Sequence, residues 1–303
     1  MLGLGLLTGS NPPADRHLPS APLNAPPDAT VFAVIGDYGW GGADTAAVAA
    51  LVHSWSPDFV ITTGDNNYPA GGADTIDLTI GQHYQSFIAP YTGSFGAGAV
   101  TNAFFPVLGN HDWMATDAQP YFDYFTLPGN ERYYTLTRGP VQFFMLDSDT
   151  HEPDGIGLSS VQAAWAHDGL VASTAAWQIV SMHHPPYSSS AVHGSTPAMQ
   201  WPYAAWGADL VLAGHDHTYE RLLVDGLTYV VNGAGGAPLY GFGPALPESV
   251  VRDQSAHGAQ RCVATEVRLI CQQITVDGLL VDTLTLSHPV VPHYVYLPSL
   301  RVE

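Results

Sequence analysis

Short apolar runs that end on a glycine or a polar cluster recur along this chain, and that recurrence constrains its fold more than any other feature. Residues 31–35 lead into Gly36-Asp37-Tyr38-Gly39, and 59–62 lead into Gly64-Asp65-Asn66-Asn67-Tyr68. Residues 104–108 lead into Gly109-Asn110-His111-Asp112, 141–146 into Asp147, 177–182 into His183-His184, and 210–213 into Gly214-His215-Asp216-His217. Runs of this length read as strands. The alanine-rich stretch 45–55, and the stretch from a cap at Ser159 or Ser160 to about Leu170, read as helices between them. Strands alternating with helices build a layered α/β domain whose ligands gather at the carboxyl ends of the strands. The polar clusters are therefore expected to converge on one edge of a sheet. Beyond Arg221 the pattern changes to strands without long helices, through 228–231, 263–274 and 280–286. Together these features predict an α/β fold: a four-layer αββα sandwich with two mixed β-sheets packed face to face and helices outside. The expected division is an extended leader or linker over 1–30, one folded domain over 31–287 and a C-terminal tail over 288–303.

The residues at those strand ends share a chemistry. Asp37, Asp65, Asn110, His183, His215 and His217 offer carboxylate, amide oxygen and imidazole, a mixture suited to hard or borderline metals rather than to a thiolate site. Six donors are too many for one tetrahedral ion, and a carboxylate such as Asp65 can bridge two ions roughly 3.5–4 Å apart. Tyr68, on the same strand exit as Asp65, is well placed to join that acid on one metal, and a tyrosinate ligand favours a hard trivalent ion. His215 and His217 alternate in an extended segment, so they can serve different ions.

Charge points the same way. The 303-residue chain carries 27 acidic and 8 basic residues, a formal charge of −19, and every basic residue is an arginine. Binding to duplex nucleic acid depends on clustered positive charge, so this balance argues against that class. An anionic substrate must be held by something other than side-chain cations. Bound metal ions are the obvious candidate, because they are often the largest local charges in a site.

In order, Gly36-Asp37-Tyr38-Gly39, Gly64-Asp65-Asn66-Asn67-Tyr68, Gly109-Asn110-His111-Asp112, His183-His184-Pro185 and Gly214-His215-Asp216-His217 resemble the five motif blocks of the purple acid phosphatases, in the calcineurin-like metallophosphoesterase superfamily. The likeness covers about residues 31–286 and is nearest to the small, single-domain form. Asn130-Glu131-Arg132-Tyr133-Tyr134 and residues 143–148 look like the family's intervening strands. The resemblance implies that Asp37, Asp65, Tyr68 and His217 bind ferric iron. It implies that Asp65 bridges to a second, divalent metal (iron, zinc or manganese) held also by Asn110, His183 and His215. Gly39 stands where many binuclear phosphoesterases carry a histidine, and its pairing with Tyr68 selects the iron-tyrosinate branch. His111 matches a histidine beside the leaving group, and His193, in Ala191-Val192-His193-Gly194, resembles another substrate-side histidine. The family's register puts the ligand at His183 and leaves His184 a structural role or a loop contact. The implied activity is that of an acid phosphatase: hydrolysis of phosphoric monoesters by metal-bound hydroxide, with an acidic optimum, on a phosphate ester substrate. A metallophosphodiesterase or nucleotidase using the same centre, and a non-catalytic phosphate-binding protein, are the alternatives.

Other polar residues have plainer expected roles. Asp147 reads as a structural carboxylate, and Asp112 and Asp216 as loop-stabilising acids. His53, His83 and His167 are expected on exposed helix faces, while His151, His257, His288 and His293 have no matched partner. Trp201, Tyr203 and Trp206 read as a buried aromatic face sooner than as the rim of a site, and Glu220-Arg221 as a local salt bridge or a substrate contact. Cys262 and Cys271 would face each other if 265–268 turn a hairpin, close enough for a cross-strand disulfide. The apolar run 2–7 is too short to span a membrane and makes a weak export signal. The tail 289–303, with Val295-Tyr296-Leu297-Pro298, reads as a terminal strand or an attachment segment. A disulfide fits an oxidising compartment, so an extracellular or periplasmic location is expected.

Overall fold

The computed structural model describes residues 24–288. The run 2–7, most of the expected leader, His293 and Val295-Tyr296-Leu297-Pro298 lie outside the described residues. Thirteen strands follow in order: β1 (Thr30–Ile35), β2 (Phe59–Thr62), β3 (Phe104–Phe105), β4 (Tyr134–Arg138), β5 (Val141–Met145), β6 (Trp177–Ser181), β7 (Leu210–Ala213), β8 (Tyr219–Val224), β9 (Leu227–Asn232), β10 (Ser249–Asp253), β11 (Gly258–Ala264), β12 (Arg268–Thr275) and β13 (Leu280–Ser287). They form a six-stranded sheet of order β13-β12-β11-β1-β2-β3 and a seven-stranded sheet of order β10-β8-β9-β7-β6-β5-β4. Both are mixed. β1 is parallel to β2 and antiparallel to β11, and β6 and β7 are parallel while β8 and β9 are antiparallel.

Period-two alternation sends successive side chains to opposite faces and so creates the layers. Phe143 and Met145 of β5, Ile179 of β6, and Leu210 and Leu212 of β7 join the core between the sheets. Their neighbours Phe144, Val180, Val211 and Ala213 point outward and pack on the helix Val161–Ala172 through Ala163, Ala166 and Leu170. The first sheet is covered by the helix Gly42–Ser54, whose Val48, Ala49 and Val52 are buried. Phe32 joins the two sheets, stacked on Phe59 with ring centroids 5.3 Å apart and edge-on to Phe143 of the other sheet at 5.3 Å. Full burial of such a ring contributes about 1.5–3 kcal/mol. The four-layer arrangement of the sequence reading is the arrangement observed.

Local details follow from local chemistry. Ser160, not Ser159, caps the second long helix, its hydroxyl accepting the Ala163 N–H at 3.0 Å. β3 stops at Phe105 rather than running on to residue 108, because Pro106 has no N–H to give the ladder. The freed Pro106 carbonyl instead accepts the hydroxyls of Tyr121 and Tyr134, at 2.9 and 2.6 Å. Trp201 and Tyr203 are buried in the outer layer, as expected. His53 and His167 are exposed, whereas His83 is half-buried. Arg221 forms a two-pronged pair with Asp282 of the opposite sheet, and Glu220 accepts the hydroxyl and N–H of Ser189. The polar clusters converge at the end of the sandwich where β1, β2 and β3 of one sheet meet β6 and β7 of the other. The single sheet edge of the sequence reading is thus corrected to an edge shared by both sheets.

β11 and β12 pair with Cys262 opposite Cys271, and a disulfide joins the two residues. Closing a loop of this length restricts the unfolded chain by about 2–3 kcal/mol. The variant with both cysteines replaced by serine is expected to lose that amount in urea unfolding. Wild-type protein should move to the same midpoint when reductant is present during the titration.

Candidate metal centre

The backbone at the strand exits is bent sharply. Asp37, Asp65 and His215 take positive φ values of 54°, 52° and 69° although none is glycine. Such residues cost free energy and persist where surrounding structure holds them, commonly at functional sites. The holding groups are identifiable. Asp37 Oδ2 accepts the His215 N–H at 2.8 Å, and Asp65 Oδ1 accepts the His111 N–H at 2.9 Å. Each buried carboxylate is therefore tied down by one oxygen. The other oxygen of each faces a shared space.

Around that space the predicted donors fall into two groups. The Tyr68 hydroxyl lies 3.2 Å from Asp37 Oδ1, 2.9 Å from Asp65 Oδ2 and 3.1 Å from His217 Nε2, and His217 Nε2 is 3.4 Å from Asp37 Oδ1. In the second group, His183 Nε2 lies 3.3 Å from the same Asp65 Oδ2, 3.1 Å from Asn110 Oδ1 and 3.2 Å from His215 Nδ1. Adjacent donors on one ion at bond lengths of 2.0–2.1 Å stand about 3 Å apart in an octahedron. The donor spacing in each group would suit a metal ion, and Asp65 Oδ2 lies within 3.3 Å of a donor in both.

Imidazole tautomers agree with this geometry. His183 Nδ1 donates to the Thr63 carbonyl and His217 Nδ1 to the Pro238 carbonyl, both at 2.8 Å. A carbonyl only accepts, so each Nδ1 carries a hydrogen, and each ring when neutral turns its Nε2 lone pair toward the site. His184 differs, because the Ser148 hydroxyl accepts its N–H at 2.7 Å and lies 3.0 Å from its Nδ1. Even so, ring nitrogens of His183, His184 and His215 all lie within 4.8 Å of one another. His184 thus borders the second group as well as bracing a loop.

The side chains of the site shift one another's protonation strongly. Burial, then the Asp37 and Asp65 carboxylates, push the Tyr68 phenol far above its ordinary range, so it keeps its proton. Burial would depress the His183 imidazole, but Asp65 and Asp37 outweigh it and raise it to about 10. Burial pushes the Asp65 carboxyl up, and His183 and His111 reverse that and hold it well below the ordinary range. Burial and the neighbouring imidazoles depress His215, leaving it neutral. Tyr68 and His183 therefore favour their protonated forms, whereas His215 favours its neutral one. The donor set, two carboxylates, a phenol, an amide oxygen and three imidazoles, fits hard or borderline ions.

His111 and His193 stand at the border. The His111 ring lies 4.3 Å from that of Tyr68, its Nδ1 2.5 Å from the Pro69 carbonyl and its Nε2 4.0 Å from Asp65 Oδ2. The His193 ring lies 4.0 Å from that of His215. Among the described residues no arginine forms an ion pair with any of these groups. Arg132 pairs with Glu152 and Asp154, Arg138 lies over Phe105 and Arg252 over Phe242.

Sequence reasoning missed the braces. Asn66 accepts the hydroxyls of Tyr38 and Thr62 on Oδ1, at 2.9 and 2.8 Å, and donates from Nδ2 to the Val107 carbonyl and Asp112 at 2.8 Å. One buried amide thereby links three motif loops. Asp112 also accepts the Gly109 N–H, and Asp216 accepts the Ser188 hydroxyl and the Gly194 N–H. Both are loop-stabilising acids, as expected. Asp147 accepts the Trp113 indole N–H at 2.9 Å and supports the His111 segment from behind. The Pro238 carbonyl orients His217, and Tyr240 stacks on that ring at 3.9 Å. Gly39 permits the closest approach, since a Cβ there would collide with the Asn66 carbonyl, and the Tyr68 N–H donates to the Gly39 carbonyl at 3.0 Å.

The family model described as calcineurin-like phosphoesterase matches residues 30–219. Mouse tartrate-resistant acid phosphatase type 5 is 28% identical over 251 residues, spanning 70% of this chain and 74% of the mouse protein. Purple acid phosphatase 15 of Arabidopsis thaliana is 28% identical over 261 residues, 73% of this chain and 48% of the plant protein. Among solved structures, a purple acid phosphatase from yellow lupin (Lupinus luteus) seeds superposes with a TM-score of 0.71 at 18% identity, over 86% of this chain. The chain spans 54% of the lupin protein. GAP50, the anchor in the inner membrane complex of Plasmodium, gives 0.66 at 17% identity, over 86% of this chain and 89% of that one. At these identities the two structures speak to the fold alone.

Protonation makes one outcome directional. With His183 raised to about 10 from an ordinary 6.5, its contribution to the metal-free fold is full below pH 6.5 and is lost as pH climbs through about 10. The urea midpoint of chelator-stripped protein is expected to fall over that window, and added metal should remove the slope by taking the proton's place. A midpoint of stripped protein that stays level across the window would contradict this account.

Proposed function

The chain belongs to the calcineurin-like phosphoesterase family, and from that premise we propose that this metal-dependent phosphatase hydrolyses phosphoric monoesters at a binuclear ferric/divalent centre. Asp37, Asp65, Tyr68 and His217 would hold the ferric ion. Asp65, Asn110, His183 and His215 would hold the divalent one, which the donor types leave as iron, zinc or manganese. The observation that carries this reading is the Tyr68 hydroxyl, within 3.2 Å of Asp37, Asp65 and His217 donors. A buried phenol among two carboxylates needs a strongly acidic cation to become a ligand, and a trivalent ion is the strongest candidate. When bound, the two ions supply Lewis acidity that neutralises phosphoryl oxygens and lowers the pKa of water enough for an acidic optimum.

The chain's own residues divide the remaining work. Asp37 and Asp65, each tied to a backbone N–H, hold their free oxygens in place without reorganising during the reaction. His111 is held through Nδ1 by the Pro69 carbonyl, and its Nε2, when protonated, donates to the leaving oxygen. His193, beside His215, hydrogen-bonds the phosphate. Among the described residues no arginine forms an ion pair in the centre, so charge neutralisation would fall to the metals. Residues 31–287 are assigned as the catalytic domain. Among the described residues no helix is long and apolar enough to cross a membrane. The Cys262–Cys271 disulfide supports an extracellular or periplasmic location.

Metal analysis with visible spectroscopy tests the centre. Purified wild type is expected to contain iron and to show a tyrosinate-to-iron charge-transfer band, which Tyr68→Phe should lose while retaining some hydrolysis. A colourless wild type with two divalent ions would leave phosphoester hydrolysis standing and remove the iron-tyrosinate assignment. A substrate panel tests specificity, and activity confined to diesters would sink the monoester assignment.

His111→Ala is expected to lower kcat on alkyl phosphates by about 10²–10⁴-fold, the usual worth of a general acid. Aryl phosphates, whose leaving groups need less protonation, should lose less. Equal losses on the two substrate types would argue against the acid role.

A further inference from the structure

His257 matches none of the sequence motifs, yet its side chain is only 14% exposed. Its Nε2 lies 2.9 Å from the Ala237 carbonyl, and because a carbonyl only accepts, that nitrogen carries a hydrogen and donates it. The next carbonyl along the chain, that of Pro238, accepts the His217 Nδ1–H at 2.8 Å. Two histidines thus grip consecutive carbonyls of one loop, one from the centre and one from the scaffold. The peptide joining Ala237 to Pro238 has no N–H, so its carbonyl is its only hydrogen-bonding group, and Ala237 is fully buried. The proline ring then fixes φ at Pro238. A single torsion, ψ, is left between the peptide plane that His257 holds and the carbonyl that His217 uses. Toward the first motif the loop is fastened by the Gly235 and Ala237 N–H groups, which donate to the Gly36 and Asp37 carbonyls, both at 3.0 Å. His257 is itself anchored. Its carbonyl accepts the Val276 N–H and the neighbouring Gly258 N–H donates to the Ala234 carbonyl, both at 2.9 Å, while its Nδ1 stands 3.7 Å from Asp44 Oδ1 on the helix Gly42–Ser54.

Resting on the binuclear-centre reading, we propose that His257 is a positioning residue for the group formed by Asp37, Tyr68 and His217. It aims the Pro238 carbonyl, and through it the His217 Nε2, at the ion held there. A hydrogen bond to the far nitrogen of a ligating imidazole sets its tautomer and orientation. Here the acceptor of that bond is a loop carbonyl, so its aim depends on what holds the loop. Tyr240 stacks on His217 at 3.9 Å and its N–H donates to the His217 carbonyl at 3.0 Å, which limits the tilt of the ring without choosing the direction of Nδ1. The second group is built differently. His183 donates to the carbonyl of Thr63, the residue directly after β2, and the Thr63 N–H donates to the Ile35 carbonyl of β1 at 2.8 Å. The sheet itself fixes that acceptor, so the influence of His257 falls on one of the two ions.

Proton exchange on chelator-stripped protein tests the linkage without metal or substrate. The His217 Nδ1 proton resonance, assigned by its absence from His217→Gln, is expected to exchange with solvent about 10-fold faster in His257→Leu. His257→Gln, which still carries a donor, should recover most of the protection. With iron and zinc restored, His257→Leu should hold iron against a chelator about 10-fold less tightly than wild type, the lower end of what outer-shell partners are worth, while zinc in the second group changes far less. Unaltered exchange of the His217 proton in His257→Leu overturns the proposal. So does equal weakening of the two ions, which would mean that His257 supports only the fold. A wild type that binds two divalent ions and no iron would strike the ferric assignment and leave the positioning role standing on the exchange rates of the stripped protein.

Discussion

Two buried carboxylates held a few ångströms apart organise this molecule. Asp37 and Asp65 are each fastened by one oxygen to a backbone N–H from another motif, so neither can swing away to relieve the crowding. Their free oxygens share a space with a phenol and with imidazoles that have already committed Nδ1 hydrogens to carbonyls. Unpaired buried charge is expensive, and the surrounding chain compensates with protons in the metal-free state. Asn66 and Asp112 carry the same constraint outward by locking three loops with hydrogen bonds that leave little slack. The strained backbone at Asp37, Asp65 and His215 is the geometric record of that compression.

Much of this was written in local patterns. Apolar runs with β-branched and aromatic residues marked the strands, but Phe143, Phe144, Met145 and Leu146 are uniformly apolar, so the separate cores that Phe143 and Phe144 enter were not legible there. The candidate ligands were legible because each donor follows such a run by one to a few residues. What stayed hidden depends on contacts distant in sequence. Nothing near Asn66 announces that its amide will reach Val107, and Pro238 is readable as a loop residue but not as the acceptor that orients His217. Pro106 was visible as a ladder breaker and should have shortened β3 in the reading. Convergence on both sheets was missed because strand order within a sheet, and the facing of one sheet on the other, are global properties.

The arginines complete the electrostatic picture. Arg221 bridges the sheets through Asp282, and Arg132 clamps the 152–154 loop. Positive charge is spent on tying the scaffold together rather than on gripping an anion. With 27 acids and no lysine, the chain has little side-chain positive charge to offer a phosphate.

The position of β1 has a consequence for how such a chain matures. β1 carries the first of the site's acids at its exit and lies between β2, a neighbour in sequence, and β11, whose residues Gln260 to Ala264 pair with it from the far end of the chain. During synthesis one edge of β1 stays unpaired until more than two hundred further residues have emerged. Contacts of such long range form late and slow folding. The pocket is consequently finished only when the whole domain is, so metal uptake belongs to the completed protein and not to the nascent chain.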